Sequence, residues 1–382
     1  MAKYKTLILG GGIGGIVASQ VLKKALGKEM QVTVVDKEEN HYFSSSYPFL
    51  LIGKRKPEEV TRKLARLEKK GIEFIHTEVT ALNPAQKLVT TDQGTMSCDY
   101  LVIALGAEYN PETVPGFSRN AYNIYDFKEL LKAREALFNM RSGHVVLFIS
   151  STPYKCPPAP YEMVFLLDQF FRQKGLRSRI ELTLVTPDLS PEPLAGPLVG
   201  RSVRNMLAKK GINLLTEAKV IRLEPGTLVL DHGEIKGDLF LGIAPHRAPS
   251  VLRETGLVDE AGWVKVDPYQ LTTGCPSVYA VGDATAIRLP VIGALAPKAG
   301  IFAHYQAEVT ARNIALLARG KKPVYRYTGK GACIMNTGFG RARYSTVHYY
   351  RQPAPFITLL RPAKPAYWAK ILFEKYWLNR WL

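Results

Sequence analysis

The stretch that most constrains this chain is YKTLILGGGIGG at residues 4–15, a strand-like apolar run opening directly into a glycine loop. Gly10, Gly12 and Gly15 fit G-x-G-x-x-G, with Gly11 and Gly14 in the same loop. Such glycines permit a tight turn, let backbone N–H groups approach a pyrophosphate, and let the following helix pack closely. A helical stretch at residues 16–25 and a strand at 31–35 follow, ending in Asp36, placed to accept from a ribose hydroxyl. Together these signs predict a βαβ unit that holds a dinucleotide.

At 382 residues the chain suits two packed domains plus an appendage. With 46% hydrophobic and 22% charged residues it is globular, not disordered. The net charge of +18 favours anionic small ligands or an anionic surface, although a Lys-rich thermophile-type surface accounts for it equally well. No nucleic-acid partner is expected, because no helix-turn-helix, zinc-finger or RNA-binding signature accompanies the charge. The first strand starts almost at Met1, so no signal peptide is expected, and no stretch reaches the roughly 18 apolar residues of a spanning helix. Cys98, Cys156, Cys275 and Cys333 show neither C-x-x-C nor metal spacing; no metal is expected, and a long-range disulfide stays open.

A second βαβ frame is read from a strand at 144–150, a helix at 161–173 and a strand at 179–186. Between its strand and helix stands STPYKCPPAPYE (151–162), where prolines replace the N–H donors that a nicotinamide dinucleotide would need. Cys156 follows Lys155 and precedes a helix opening at Pro158 or Pro160, a setting that favours thiolate. Glu162, in the first turn, opposes that effect or serves as proton acceptor.

Two further strands, DYLVIALGA (99–107) and SVYAVGDA (277–284), resemble the later fingerprints of FAD enzymes of the pyridine-nucleotide-disulfide oxidoreductase superfamily, with Leu105 where Thr is usual. That resemblance puts Ala104 and Gly106 close to the flavin, and Gly282 and Asp283 at its ribityl chain. Lys298, before a helix N-terminus, is placed to stabilise negative charge on a reduced flavin. Lys37, Ser45 and Val79 complete the expected cofactor set.

KCPPAPYE, GDLFLGIAPHRAP (237–249), YAVGDA and ACIMNTGFG (332–340) carry a closer resemblance, nearly end to end, to the sulfide:quinone oxidoreductase and flavocytochrome c sulfide dehydrogenase group, relatives of type II NADH dehydrogenases. It implies a redox pair of Cys156 and Cys333, with Cys333 nearer the flavin and Cys156 carrying sulfane sulfur. The partners it implies are hydrosulfide and quinone. Residues 120–127 lack the third Cys of many relatives, so FAD is expected to be non-covalent. Phe339 and Tyr349 are quinone-pocket candidates, and Cys98 and Cys275 are structural. A type II NADH dehydrogenase should instead show a Gly-rich second loop, and a flavocytochrome partner should carry a leader.

The final thirty residues gather Trp368, Trp377 and Trp381 with Arg361, Lys364, Lys370, Lys375 and Arg380 against one acid, Glu374. Such a mixture suits an anionic headgroup layer, so the chain is expected to be a peripheral, monotopic membrane protein whose flavin site survives loss of the tail. The fold expected is α/β: two Rossmann-like dinucleotide-binding domains in tandem plus a C-terminal amphipathic membrane-associating region. Its parts are 1–110 with 262–320, then 111–261, then 321–382. A homo-oligomer is left open.

Overall fold

The structure, a computed structural model, describes residues 3–382. Strand Tyr4–Leu9 forms the centre of a five-stranded parallel sheet in the order Val278–Ala280, Tyr100–Ile103, Tyr4–Leu9, Met30–Asp36, Glu73–His76. Its apolar residues Leu7, Ile8 and Leu9 are buried because both faces of a parallel sheet are covered. Helix Ile13–Leu26 leaves the glycine loop and packs against helix Gly300–Ala318, which enters from far along the chain. The close approach is visible at Gly300, where a Cβ would sit 2.3 Å from the Ile13 side chain.

A second parallel sheet repeats this plan in the order Tyr122–Asn123, Leu239–Ile243, Gly143–Ile149, Ile180–Val185, Asn213–Leu215. Each unit also carries a small three-stranded antiparallel sheet, Val79–Ser97 in the first and Val220–Lys236 in the second. Helix Ala159–Gln173 is the second unit's counterpart of Ile13–Leu26, and its Tyr161, Val164, Phe165 and Phe171 are fully buried.

The chain ends in an antiparallel sheet, Lys330–Gly338, Arg341–His348 and Phe356–Leu359, followed by helix Lys364–Arg380. The helix is docked, not free. Ile371 joins the core of the second unit, while Trp377 and Leu378 join that of the first. Its inner stripe, Lys370, Ile371, Glu374, Trp377 and Leu378, follows the helical period. Trp368, Leu372 and Tyr376 form an opposite stripe about 60% exposed, so two apolar faces lie back to back. Burying large apolar side chains stabilises this docking by about 1.5–3 kcal/mol each. Among the described residues no helix is long and apolar enough to cross a membrane.

Candidate active site

One large cavity of about 1580 Å³ runs between the two parallel units and the C-terminal sheet and helix. Pockets for a single small ligand hold about 300–1,000 Å³, so this one has room for an extended cofactor and a substrate.

At its dinucleotide end, the Gly10 N–H donates to Val35 O (2.7 Å) and the Gly11 N–H to the Asp36 carboxylate. Asp36 also accepts from the Glu38 N–H at 2.8 Å, and burial raises its pKa against these bonds. A Cβ on Gly15 would lie 1.8 Å from Gly10 O, so Gly15 underlies the loop without facing the cavity. A Cβ on Gly12 would meet nothing within 4 Å. Helix Ile13–Leu26 has no side-chain cap and no acid in its first turn, leaving its first N–H groups for an anion. His41, fully buried, bonds Gly11 O through Nδ1 (3.1 Å) and stacks on Trp377 with ring centroids 4.9 Å apart. Burial lowers its pKa to about 4.

Lys37, Ser45, Val79, Ala104, Gly106, Gly282, Asp283 and Lys298 all line the same cavity. The Oδ1 atom of Asp283 is buried and, among the described residues, lacks a partner, an orphan acceptor that a ligand hydroxyl would satisfy. These features fit a flavin dinucleotide. Lys298 is buried, donates to Asp283 O (2.6 Å) and Thr285 O (3.3 Å), and lies 3.5 Å from the Trp263 ring centroid. Burial lowers its pKa to about 8.

At the other end Cys156 and Cys333 face the cavity together. All four cysteines are free thiols. Cys156 sits at φ 50°, its N–H donating to Lys298 O (2.6 Å) and its carbonyl accepting from the Ala159 N–H (2.9 Å). Cys333 lies on the strand Lys330–Gly338, opposite Ser345. The expected Cys156 thiolate is overturned: burial pushes its pKa up to about 12, outweighing the helix terminus. The cation that pulls it down is Lys370, not Lys155, which lies over the Tyr109 ring. Burial also raises Cys333, and the neighbouring Cys156 adds to the rise.

Glu162, buried, accepts from Asn336 Nδ2 at 2.5 Å and from Lys370 Nζ. One carboxylate thereby joins the helix after Cys156, the strand of Cys333 and the C-terminal helix. Burial raises its pKa, with Lys370 and Asn336 acting against that. Asn336 and Lys370 escaped the sequence reading. Asn336 has no local signal, whereas Lys370, Glu374 and Trp377 recur at i, i+4 and i+7, a stripe that charged residues disguise. Glu374 is buried against Arg55 (2.7 Å) and Ser46. A second buried pair, Glu192 with Arg343, stands on the same side as Cys333.

Two expectations fail here. Phe339 lies outside the cavity, 50% exposed, its N–H donating to Gln169 Oε1 (2.6 Å). Six positions of strand at about 3.3 Å each carry it roughly 20 Å beyond Cys333. Tyr349, by contrast, is buried and lines the cavity, 5.9 Å from the Phe302 ring. The tail is also not separable from the site, because Lys370, Phe373 and Trp377 line the cavity. Cys98 and Cys275 lie elsewhere, packed against the Leu7, Leu101 and Val278 cluster.

The family model described as pyridine nucleotide-disulphide oxidoreductase matches residues 4–146 and 174–308. This chain belongs to that family. The family's members are FAD-dependent flavoproteins, in keeping with the orphan acceptor and open glycine loop. A model described as the central part of the sulfide dehydrogenase [flavocytochrome c] flavoprotein chain matches residues 129–195, the segment that holds Cys156. The mitochondrial sulfide:quinone oxidoreductase of Mus musculus is 27% identical over 92% of this chain and 79% of its own. The sulfide-quinone reductase of Aquifex aeolicus is 25% identical over 99% of this chain and 91% of its own. The crystal structure of the Aquifex aeolicus sulfide:quinone oxidoreductase superposes with a TM-score of 0.91 at 24% identity, covering 99% of this chain and 91% of that one.

Proposed function

We propose that this chain oxidises sulfide at a Cys156–Cys333 pair and passes the electrons to a quinone. One observation carries the reading: the second unit offers prolines and a cysteine where a nicotinamide site would need N–H donors, and that cysteine faces one cavity with Cys333 and the glycine loop. The relatives named sulfide:quinone oxidoreductase support it.

FAD, when bound, supplies the two-electron relay between the thiols and the acceptor. Gly10, Gly11, Gly12, Gly14 and Asp36 would hold its pyrophosphate and ribose, and Asp283 a ribityl hydroxyl. The chain's own work is sulfur exchange and placement. Sulfide attacks the Cys156 sulfur of a Cys156–Cys333 disulfide, leaving a persulfide on Cys156 and releasing the Cys333 thiolate. Because burial disfavours that thiolate, the nearby Lys370 ammonium is the charge that offsets it. Glu162 acts as a positioning residue, tying both cysteine-bearing elements together through Asn336 and Lys370. Lys298 ties the loop after Gly282 to the N-terminus of helix Gly300–Ala318.

Tyr349 and Phe373, which line the cavity, would offer aromatic surface to a quinone ring. The outward stripe Trp368, Leu372 and Tyr376, flanked by Lys375 and Arg380, would rest on an anionic membrane as a peripheral attachment. The working division is an FAD domain of residues 1–110 and 262–320, a sulfur domain of 111–261, and a quinone and membrane region of 321–382.

Steady-state turnover of the holoenzyme with a soluble quinone analogue, given sulfide or NADH, tests the reading. Sulfide is expected to drive quinone reduction and NADH is not; the reverse would move the chain to the NADH dehydrogenases. FAD is non-covalent in this proposal, so acid precipitation is expected to release the yellow cofactor into the supernatant.

A further inference from the structure

The two-stranded ribbon of Glu108–Tyr109 and His246–Arg247 sets Tyr109 opposite His246, their ring centroids 5.1 Å apart. Together they grip the residue before Cys156. The Lys155 N–H donates to His246 Nε2 (3.3 Å), and the Lys155 ammonium lies over the Tyr109 ring, 4.6 Å from its centroid. His246 donates from Nδ1 to Ala244 O (2.9 Å), which leaves Nε2 to accept, and burial lowers its pKa to about 3, so the ring stays neutral. The Tyr109 hydroxyl donates to Tyr125 O (2.6 Å), and the Tyr125 hydroxyl donates to Cys156 O (3.2 Å). With the Cys156 N–H held by Lys298 O, Lys155 and Cys156 are fixed together at both N–H groups and at the Cys156 carbonyl.

Five Lys and Arg side chains line the cavity. Lys37 pairs with Glu78 (3.3 Å), Arg247 with Glu108 (3.0 Å) and Lys370 with Glu162, while Lys298 donates to two carbonyls. Among the described residues, Lys155 is the one of the five whose ammonium has neither a carboxylate nor a carbonyl on it; its partner is Tyr109. Burial works against its charge, yet Tyr109 and Asp283 raise its pKa above the ordinary value, so the ammonium stays protonated. A half-buried cation without a counter-ion, held on a cavity wall next to a cysteine, is a place for a small anion.

We propose that Lys155 is the docking cation for hydrosulfide, which it holds beside Cys156 before the attack, and that Tyr109, Tyr125 and His246 are positioning residues that keep Lys155 there. The inference rests on the sulfide reading above. The anion is the nucleophile of that step, and an ammonium favours it over neutral H₂S at the place where it is needed. Because the ring beneath the ammonium and the bonds around the Lys155 and Cys156 backbone are already formed, little ordering remains when the anion arrives.

The test mixes holoenzyme rapidly with sulfide, without quinone, at constant pH and ionic strength, and follows bleaching of the flavin. Lys155→Gln is expected to raise the sulfide concentration for half-maximal rate about tenfold, the scale of one charge contact in a partly buried site, while the limiting rate stays within about threefold. Lys155→Arg keeps the charge and the stacking on Tyr109, so its half-saturation is expected within about threefold of the wild type. Tyr109→Leu removes the ring beneath the ammonium and is expected to weaken half-saturation about threefold. A merely structural Lys155 would lower the limiting rate or the FAD content and would not be rescued by Arg. Wild-type half-saturation in Lys155→Gln overturns the proposal, as does a loss confined to the limiting rate or an equal loss in Lys155→Arg. A wild-type flavin that sulfide does not bleach at all overturns the sulfide reading itself.

Discussion

The two parallel units share the order of four of their five strands and an antiparallel appendage, yet the loops leaving their central strands have opposite chemistry. In the first, the strand ends at Leu9 and the helix starts at Ile13, across glycines whose packing leaves no space for a side chain at position 15. In the second, the strand ends at Ile149 and the helix starts only at Ala159. The longer loop holds Cys156 in a left-handed conformation, and its prolines offer no N–H groups. In the proposed reading one loop receives a phosphate and the other presents a sulfur. The same scaffold thus accepts either task, because the sheet sets only where the loop stands, and the loop's donors set what it binds.

Removing the sulfur breaks the comparison most severely. Cys156→Ser and Cys333→Ser are each expected to lower sulfide-dependent flavin reduction by about a thousandfold or more, with the double variant little worse, since each single change removes the bridge. FAD content, read from the visible spectrum, should stay at the wild-type level. A Cys156→Ser enzyme that kept most of its sulfide activity would mean the second loop has some other role.

Exchanging small residues in the two loops is the next test. Gly15→Ala drives a Cβ into Gly10 O and should cost about 2–4 kcal/mol of stability together with most of the bound FAD. Pro157→Ala, on the other loop, should leave FAD content unchanged. Thermal melts and flavin-to-protein ratios would separate the two, and equal FAD loss would show that the loops are not specialised.

Acid should act on the glycine-loop unit through His41. Its folded pKa of about 4 lies below the ordinary value of 6.5, so its contribution is present above pH 6.5 and is lost as pH falls through 4. The full difference corresponds to about 3 kcal/mol. His41→Phe should flatten that part of the stability–pH curve measured by denaturant titration; an unchanged slope would assign acid lability to other groups.

The smallest effect on soluble turnover is expected from Trp368→Ser combined with Leu372→Ser and Tyr376→Ser. These side chains point outward, so turnover with a soluble quinone should stay within about twofold while sedimentation with anionic liposomes falls. Cutting the tail after Pro353 is a different experiment, because it also removes Lys370 and Trp377 from the cavity. Undiminished liposome binding by the triple variant would move the membrane contact elsewhere.

The local elements were legible in the sequence. The strand, glycine loop, helix and acid of residues 4–36, and the proline-rich loop around Cys156, are short-range patterns of periodicity and backbone donors that any chain must obey. The resemblance brought Cys156 and Cys333 together, 177 residues apart; no local pattern does so. What only the tertiary structure decided were the contacts made by residues distant in sequence. The thiols lie in a desolvated cavity that reverses the expected acidity of Cys156. Lys370 pairs with Glu162 across 208 positions. The final helix buries one stripe, charges included, in the cores of both units and leaves its opposite face outward. Periodicity tells which residues share a face, but which face is covered depends on the neighbour the rest of the chain provides, and so does the environment of every charge it carries.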